Sequence, residues 1–404
     1  MSNFKGIIDT TLREGQQSPL FFDTFKYFFT LEEKKQILKG LLKLGIDMIE
    51  FFSPIVSQRE ANDFIKIKKY LRSISKKKIL LLSHCRCREE DIKLSLSFGF
   101  NGLNVYMGLS DHAQKVYGKN IKELVLQAEK LVSDIRKKYP KIYLRFSAED
   151  AFRTPLENIF LVYDKIYKYV DTLGLPDTTG MATPETVKEK LKRLKRRYPK
   201  VNFECHFHND RGFALINTLE AIKNGCQFAD ASILGLGERS GIASLTGLIF
   251  NLYHFNKDLV KNYKIDFCYP LNVLVASFLK IQVPFNEPVS LTNRTHVAGV
   301  HHYAILKEKI SYEAQELEKF GVNKTQLLLG PLSGWHSIYY YLKEIEGYII
   351  SEEQAKLITQ EFKKRVKDFK KLTPHKILKS LCIKYSLTKV NIPKHEKKRR
   401  VEIF

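Results

Sequence analysis

The chain has 404 residues, of which 44% are hydrophobic, and its 67 lysines and arginines against 44 acidic residues give a formal net charge of +23. This length can bury one large core with an appended region, and no apolar run approaches the roughly 18 residues of a membrane span. The lysines are mixed with apolar and acidic residues in helical stretches, which disfavours nucleic acid as the main partner. The first residues lack a signal-peptide pattern, so we expect a cytoplasmic protein.

Short apolar runs with strand character alternate with amphipathic helical stretches from residue 6 to residue 234. The helical periodicity is clearest at residues 30–44 and 120–138, and such stretches separate successive apolar runs. The eight predicted strands are Gly6–Asp9, Met48–Phe52, Ile79–His84, Gly102–Met107, Tyr143–Ser147, Val170–Leu175, Val201–His208 and Phe228–Leu234. Eight strand–helix units in succession predict an α/β fold, a parallel (β/α)8 TIM barrel.

The pattern changes after the eighth unit. From Phe267 the sequence is irregular and contains several prolines, and residues 293–302 are rich in histidine and other polar residues. A mostly helical stretch follows, and beyond Thr373 we expect little regular structure. The predicted divisions are a barrel domain at residues 1–265, a linker and lid subdomain at 266–325, and a mainly helical C-terminal subdomain at 326–404 with a basic tail. A minor alternative makes the tail at residues 394–400 a localisation signal.

The segment at the end of the seventh predicted strand has metal-binding character. Residues two apart in a strand point to the same side, so His206 and His208 converge. A metal needs at least one further ligand, for which an acidic side chain is suited. By itself, this pattern fits barrel-lining histidines as well as it fits a metal site.

Further polar residues fall where predicted strands end, and in a (β/α)8 barrel these ends meet at one mouth. These residues are Arg13, Glu14, His84, Glu149, Thr178, His206 and His208. Their common location makes Glu14 the expected third ligand beside the two histidines. One carboxylate and two imidazoles suit Mg, Mn or Zn, and ligand type alone does not choose among them.

Three separated motifs carry a resemblance to a known family. Residues 9–19 read DTTLREGQQSP, residues 204–210 read ECHFHND, and residues 235–241 read GLGERSG. In this order they resemble the homocitrate synthase, isopropylmalate synthase and citramalate synthase family of metal-dependent Claisen condensation enzymes. The resemblance extends over about residues 4–345 and implies an acyltransferase of amino-acid biosynthesis that joins acetyl-CoA to a 2-oxo acid.

The segment RFSAEDAFR, residues 145–153, bears on the acceptor. It is similar to RFSSEDSFR of homocitrate synthases, which implies that Arg145 and Ser147 hold the distal carboxylate of 2-oxoglutarate. A buried guanidinium offers a carboxylate two parallel hydrogen bonds and is costly when unpaired. Pairing of Arg145 with Glu149 or Asp150 is the structural alternative. Oxaloacetate, pyruvate and 2-oxoisovalerate stay open as acceptors, because one methylene changes discrimination by only roughly 1–3 kcal/mol.

The resemblance also assigns roles around the acceptor. Arg13 would stabilise the developing oxyanion, with a salt bridge to Glu14 as the alternative. The residues assigned to acceptor binding are Arg13, Gln17, His84, Arg145, Ser147 and Thr178. His84 has a second interpretation as a satisfied core histidine. The loop at residues 235–239 would either bind coenzyme A or shape the mouth.

Proton removal is assigned by resemblance to a lid motif at residues 293–302. His301 would be the base, with Tyr312 and Glu149 assisting, and a neutral imidazole suits that role. His296 and His302 are alternatives. The family's lid reaches into the neighbouring subunit's barrel, which implies a homodimer.

The sequence departs from the family pattern at three positions. Gln16 stands where the family usually has Glu, and His302 follows His301 where Ala or Gln is common. Asn104 replaces an aspartate that binds feedback lysine, so we expect weak lysine inhibition.

A related lyase would need a glycine-rich cysteine loop, which is missing after Cys226. A basic RNA-binding barrel is the other rival. The six cysteines lack metal-site spacing and are expected to be packing thiols.

Overall fold

The computed structural model describes residues 3–23, 25–366, 373–390 and 401–403. The chain separates into two compact units, Met1–Glu287 and Pro288–Phe404. The division into three parts at residues 265 and 325 stays a prediction. No helix in the described ranges is long and apolar enough to cross a membrane.

The first unit is a closed barrel of eight parallel strands, as predicted. The strands are β1 Gly6–Asp9, β2 Met48–Phe52, β3 Leu80–Arg86, β4 Gly102–Gly108, β5 Tyr143–Glu149, β6 Thr172–Asp177, β7 Asn202–Phe207 and β8 Phe228–Ala231. Consecutive strands pair in order, and β8 closes the barrel against β1, with Ile7 opposite Ala229. The carboxyl ends of all eight strands therefore meet at one mouth.

Three strands continue further than their apolar pattern predicts. Strands β3, β5 and β6 each end two residues later than expected, at Arg86, Glu149 and Asp177. The apolar pattern stops where polar side chains begin, but the backbone remains paired there. Strand β8 is shorter than predicted because a 3-10 turn begins at Ile233, with Leu234 in the left-handed region at φ 60°.

Helices cover the outside of the barrel and follow the strands in turn. They are α1 Leu20–Asp23, α2 Leu31–Leu44, α3 Gln58–Ile74, α4 Glu89–Phe98, α5 Asp111–Tyr117, α6 Ile121–Lys138, α7 Leu156–Ile166, α8 Pro184–Arg197, α9 Ala214–Lys223, α10 Leu245–Phe255 and α11 Cys268–Phe278. Local sequence sets their ends. Thr30 and Glu33 form a capping box at the start of α2, and Asn120 and Glu123 form another at the start of α6.

Helix α11 corrects the expectation of an irregular segment after Phe267. Pro270 is its third residue, where the backbone N–H would have no partner inside the helix, so proline is tolerated. Leu271 and Val275 are buried. A proline was therefore a poor reason to predict an irregular linker here.

The second unit combines a small parallel sheet with helices around its own apolar core. The sheet has the order β11 Val401–Ile403, β10 Thr325–Leu327, β9 Thr295–His296. The helices are α12 Gly299–Lys307, α13 Trp335–Tyr340, α14 Glu352–Arg365 and α15 Pro374–Lys384, with a π-helical turn at Tyr341–Ile345. Their inward faces include Ile338, Ile358 and Phe362, all fully buried.

The expectation of little structure beyond Thr373 was wrong. Thr373 caps α15, and Ile377, Leu378 and Leu381 are buried on one helix face. Intervening lysines obscured this apolar spacing in the sequence. The basic residues at 394–400 lie outside the described residues.

Candidate metal and active site

A cavity of about 470 Å³ opens at the carboxyl ends of the barrel strands. It brings together all the barrel residues singled out from the sequence. They are Arg13, Glu14, Gln17, His84, Arg145, Ser147, Glu149, Thr178, His206 and His208. The six cysteines are all free and buried, as expected of packing thiols.

Glu14, His206 and His208 present their ligand atoms within 4.8 Å of one another, and all three side chains are buried. Glu14 begins a 3-10 turn after β1, His206 lies on β7, and His208 follows that strand. The two Nε2 atoms are 3.3 Å apart, and Glu14 Oε1 is 3.8 Å from His208 Nε2. In the described part of the chain, this is the one cluster of three such groups suited to a metal ion.

The loop at residues 235–241 supports Glu14. The Glu238 backbone N–H donates to Glu14 Oε1 over 3.0 Å, while Arg13 pairs with Oε2. A Cβ at Gly237 would lie 3.3 Å from Glu14 Oε1, so glycine permits this close approach. Burial opposes ionisation of Glu14, but Arg13 and the two histidines lower its pKa to about 2. The loop therefore shapes the mouth, while coenzyme A binding by it stays a prediction.

Asp230 on β8 orients His206. Its Oδ2 lies 3.1 Å from His206 Nδ1, and its side chain is buried. A ring N–H bonded to a carboxylate fixes the imidazole orientation and leaves the other nitrogen for a metal. Sequence reasoning missed Asp230 because residues 228–234 read as one apolar strand. The signal was a single acid within that run.

Arg145 lies in a buried ion network and is 1% exposed. Its Nη1 donates to Asp230 Oδ1 over 2.9 Å and its Nη2 to Glu50 Oε2 over 2.7 Å. Arg13 holds the other oxygen of Glu50. The pairing of Arg145 with Glu149 or Asp150 weighed from the sequence is not formed. The salt bridge between Arg13 and Glu14 is formed.

The charges of this network favour a bound cation. Burial alone would raise the pKa of every carboxyl group here, but neighbouring cations reverse this at Glu14, Glu50 and Asp230, whose pKa values are lowered. At Glu204 burial outweighs Arg145, and the pKa is raised well above its ordinary value. Two guanidinium groups thus face three carboxylates. Buried charges need compensation, and a cation beside Glu14 and the histidines would provide it.

His84 borders the cavity with its ring stacked on Tyr106, 4.3 Å between centroids. Its Nδ1 is 3.0 Å from Asn104 Nδ2, and Ser147 Oγ donates to Asn104 Oδ1 over 2.9 Å. Burial, followed by the charge of Arg13, lowers the pKa of His84. Sequence reasoning missed Tyr106, since an aromatic residue in a strand reads as core.

The remaining predicted residues lie at the cavity edge. Tyr117 Oη donates to Glu149 Oε2 over 3.4 Å, and burial raises the pKa of Glu149. Thr178 Oγ1 accepts the Asp150 backbone N–H, and Gln17 is exposed. Gln16 points elsewhere and donates to Glu60 and to a backbone carbonyl.

The three histidines of the predicted lid motif, His296, His301 and His302, have different surroundings. Both ring nitrogens of buried His302 are occupied, by Ser337 Oγ and by the backbone oxygen of His296. His296 Nε2 faces Glu313 over 3.3 Å. His301 stacks on Tyr312, 4.1 Å between centroids. Among these three histidines, His301 has the ring with no hydrogen-bond partner in the described residues.

Comparisons with known proteins agree with this architecture. A family model described as HMGL-like matches residues 5–272, and one described as homocitrate synthase post-HMGL domain-like matches residues 289–370. The likeness therefore extends beyond residue 345, where sequence reasoning ended it.

Curated relatives match most of the chain. The mitochondrial homocitrate synthase of Schizosaccharomyces pombe is 34% identical over 90% of this chain and 84% of its own length. The cytosolic homocitrate synthase isozyme of Saccharomyces cerevisiae is 33% identical over 90% and 82%. A 2-isopropylmalate synthase of Ruminiclostridium cellulolyticum is 32% identical over 93% and 73%. Among solved structures, an HMG-CoA lyase of Bacillus subtilis covers 70% of this chain and 96% of its own, with a TM-score of 0.58 and 22% identity, which is a likeness of fold.

Proposed function

The chain belongs to the HMGL-like family and has a homocitrate synthase-type second domain, and we propose that it condenses acetyl-CoA with 2-oxoglutarate to give homocitrate and CoA. It is thus an enzyme of the homocitrate synthase kind, an acyltransferase. The observation that carries the proposal is the convergence of Glu14, His206 and His208 with Arg13 and Arg145 on one cavity at the barrel mouth.

Glu14, His206 and His208 would hold a divalent cation, Mg, Mn or Zn. When bound, such an ion supplies Lewis acidity and a template for the carbonyl and carboxylate oxygens of a 2-oxo acid. The chain prepares the ligands, because Asp230 fixes the His206 ring and Glu238 fixes the Glu14 carboxylate. The carboxylate and two imidazoles support the use of a metal without selecting one.

The two arginines at the cavity wall would orient the acceptor. Arg13 borders the cavity beside Glu14 and would stabilise the oxygen anion that forms when the ketone carbon is attacked. Arg145 and Ser147 would face the distal carboxylate, with His84, Thr178 and Gln17 completing the contacts. The nitrogens of Arg145 already hold Glu50 and Asp230, so it would act here mainly as a positioned charge, with Ser147 able to redirect its hydroxyl.

His301 would remove a proton from the methyl group of acetyl-CoA, with Tyr312 and Glu149 assisting. The methyl carbon then bonds to the ketone carbon of the acceptor, and the resulting oxyanion gains a proton. Water cleaves the thioester, releasing CoA thiol and leaving a carboxylate. The open ring nitrogens of His301 and its contact with Tyr312 support this choice over His302. His301 would serve the partner's barrel, which makes a homodimer part of the proposal.

The alternative acceptors are oxaloacetate, which is one methylene shorter, and pyruvate or 2-oxoisovalerate. The 2-isopropylmalate synthase relatives keep the last possibility open. The polar wall that includes Arg145 and Ser147 favours a polar distal group over an apolar side chain. A cytoplasmic location stays a prediction, because the similar homocitrate synthases include both cytosolic and mitochondrial isozymes.

Product analysis tests this proposal. Purified protein with Mn²⁺, acetyl-CoA and 2-oxoglutarate should yield homocitrate detectable by mass spectrometry, and a chelator should stop its formation. A matched reaction with boiled protein is the control. If folded protein with the native sequence forms no condensation product, the proposal is contradicted.

A further inference from the structure

Asn104, which departs from the family pattern, lies in the cavity wall. Its hydrogen bonds determine which ring nitrogen of His84 carries the proton. Asn104 stands on β4 directly opposite His84 on β3 and is 1% exposed. Its Oδ1 accepts from Ser147 Oγ over 2.9 Å. Its Nδ2 lies 2.9 Å from Glu50 Oε2 and 3.0 Å from His84 Nδ1.

The orientation of this amide is fixed by Glu50. That carboxylate pairs with Arg13 and Arg145 and, when ionised, can only accept hydrogen bonds. The Asn104 atom facing it must therefore be the NH₂ group, since an amide oxygen there would meet the carboxylate oxygen. The opposite side of the amide is then an oxygen, which accepts a hydrogen bond from the Ser147 hydroxyl.

The second Nδ2 hydrogen of Asn104 points to His84 Nδ1. Two N–H groups cannot face each other at 3.0 Å, so Nδ1 is the ring nitrogen without a proton, and the proton of a neutral ring is on Nε2. Glu50 Oε1 also approaches Nδ1, but at the longer distance of 3.4 Å. Within the described residues, His84 Nε2 has no hydrogen-bond partner, while the ring borders the cavity.

We propose that Asn104 is a positioning residue that fixes the proton of His84 on Nε2, so that His84 presents a hydrogen-bond donor to an oxygen of the acceptor. This assignment of an acceptor contact rests on the proposed function. An aspartate at position 104 would reverse the arrangement. Its carboxylate would accept from Nδ1–H, leave Nε2 as an acceptor in a neutral ring, and lie against Glu50. The amide therefore gives a neutral His84 ring a donor at this point of the wall.

The tautomer is measured directly by NMR of the full chain carrying ¹⁵N-labelled histidine. The His84 signals are assigned by their loss in His84→Gln. We expect protonated Nε2 and unprotonated Nδ1 in the native protein, and a shift of the proton to Nδ1 in Asn104→Asp and in Asn104→Ala, where Glu50 becomes the acceptor. Asn62→Asp, which adds the same charge on the exposed face of α3, should leave the His84 signals unchanged.

A protonated Nδ1 in the native protein, or one tautomer shared by all folded variants, would overturn the proposal. Asn104→Ala keeps the test decisive if Asn104→Asp does not fold. The measurement needs no turnover, so an inactive protein would contradict the proposed function while the tautomer result still decides this inference.

Kinetics test the donor role. Asn104→Asp should raise the KM for the acceptor by about tenfold or more, because the hydrogen bond from His84 Nε2 to a charged oxygen of the acceptor is lost. The KM for acetyl-CoA should change by less than about twofold. The amide of His84→Gln can reach the position of Nε2, whereas that of His84→Asn cannot, so the Gln variant should retain the lower acceptor KM of the two. An unchanged acceptor KM in an Asn104→Asp protein whose tautomer has shifted would overturn the donor role.

Discussion

Replacing Asp230 with Asn should weaken metal binding without unfolding the barrel. Asp230 is buried between two partners, His206 Nδ1 at 3.1 Å and the two terminal nitrogens of Arg145 at 2.9 and 3.2 Å. Both partners are donors, so both oxygens of Asp230 accept. An amide supplies one oxygen and one NH₂ group, and either orientation places an N–H against a donor.

The expected size follows from the position of Asp230 behind a metal ligand. Loss of an outer carboxylate that orients a ligating histidine lowers metal affinity by about 10–100-fold, which is about 1.4–2.8 kcal/mol. Isothermal titration with Mn²⁺ measures the affinity of native protein and Asp230→Asn. The acceptor KM should rise as well, because Arg145 loses a charged partner.

The control is Asp164→Asn, which removes a carboxylate from the ion pair with Arg197 outside the barrel. Its metal affinity should equal that of the native protein. If Asp230→Asn binds Mn²⁺ within about twofold of the native protein while remaining folded by circular dichroism, the reasoning about His206 is wrong.

Three further predictions concern the metal, the barrel and regulation. Chelation should abolish thiol release from acetyl-CoA, and added Mn²⁺ should restore it. His208→Ala should lower kcat/KM by at least about a hundredfold. Turnover that resists a chelator would contradict the metal assignment. Lys34 is 1% exposed between Glu60 and Asp63, so Lys34→Met should cost about 3–5 kcal/mol of unfolding free energy in urea. A loss no larger than that of Lys39→Met, at an exposed position of the same helix, would refute this. L-lysine at the acceptor's concentration should leave the rate unchanged, because the neutral side chain of Asn104 on β4 weakens a site for its ammonium group. Competitive inhibition at that concentration would contradict this argument.

The barrel was predictable because its signals are local and repeated. Alternating apolar runs and amphipathic stretches identified all eight strands, and the helical periodicity at residues 30–44 and 120–138 corresponds to helices α2 and α6. The ends of β3 and β5 were missed since their last residues are polar and line a cavity. Helices α11 and α15 were missed because a tolerated proline and interspersed lysines concealed their apolar faces.

The candidate site was predictable where function requires a distinctive residue at a strand end, as at Glu14 and His208. Its supporting residues were not. Asp230 is one acid in an apolar strand, and its partners are Arg145 and His206, from two other strands. Contacts between side chains of different strands depend on barrel register, which a single sequence does not reveal. For the same reason the partners of Arg145 were assigned to its own strand end.

The most direct test of the account is thiol release from acetyl-CoA by the purified protein with Mg²⁺ or Mn²⁺, comparing 2-oxoglutarate, oxaloacetate, pyruvate and 2-oxoisovalerate side by side. The account predicts that 2-oxoglutarate gives the highest kcat/KM and that Ser147→Ala raises its KM. Preference for oxaloacetate would contradict the assignment of 2-oxoglutarate as the acceptor and would leave the metal-site assignment standing. Preference for pyruvate or 2-oxoisovalerate, or no release with any acceptor, would contradict the central claim that this barrel condenses acetyl-CoA with 2-oxoglutarate.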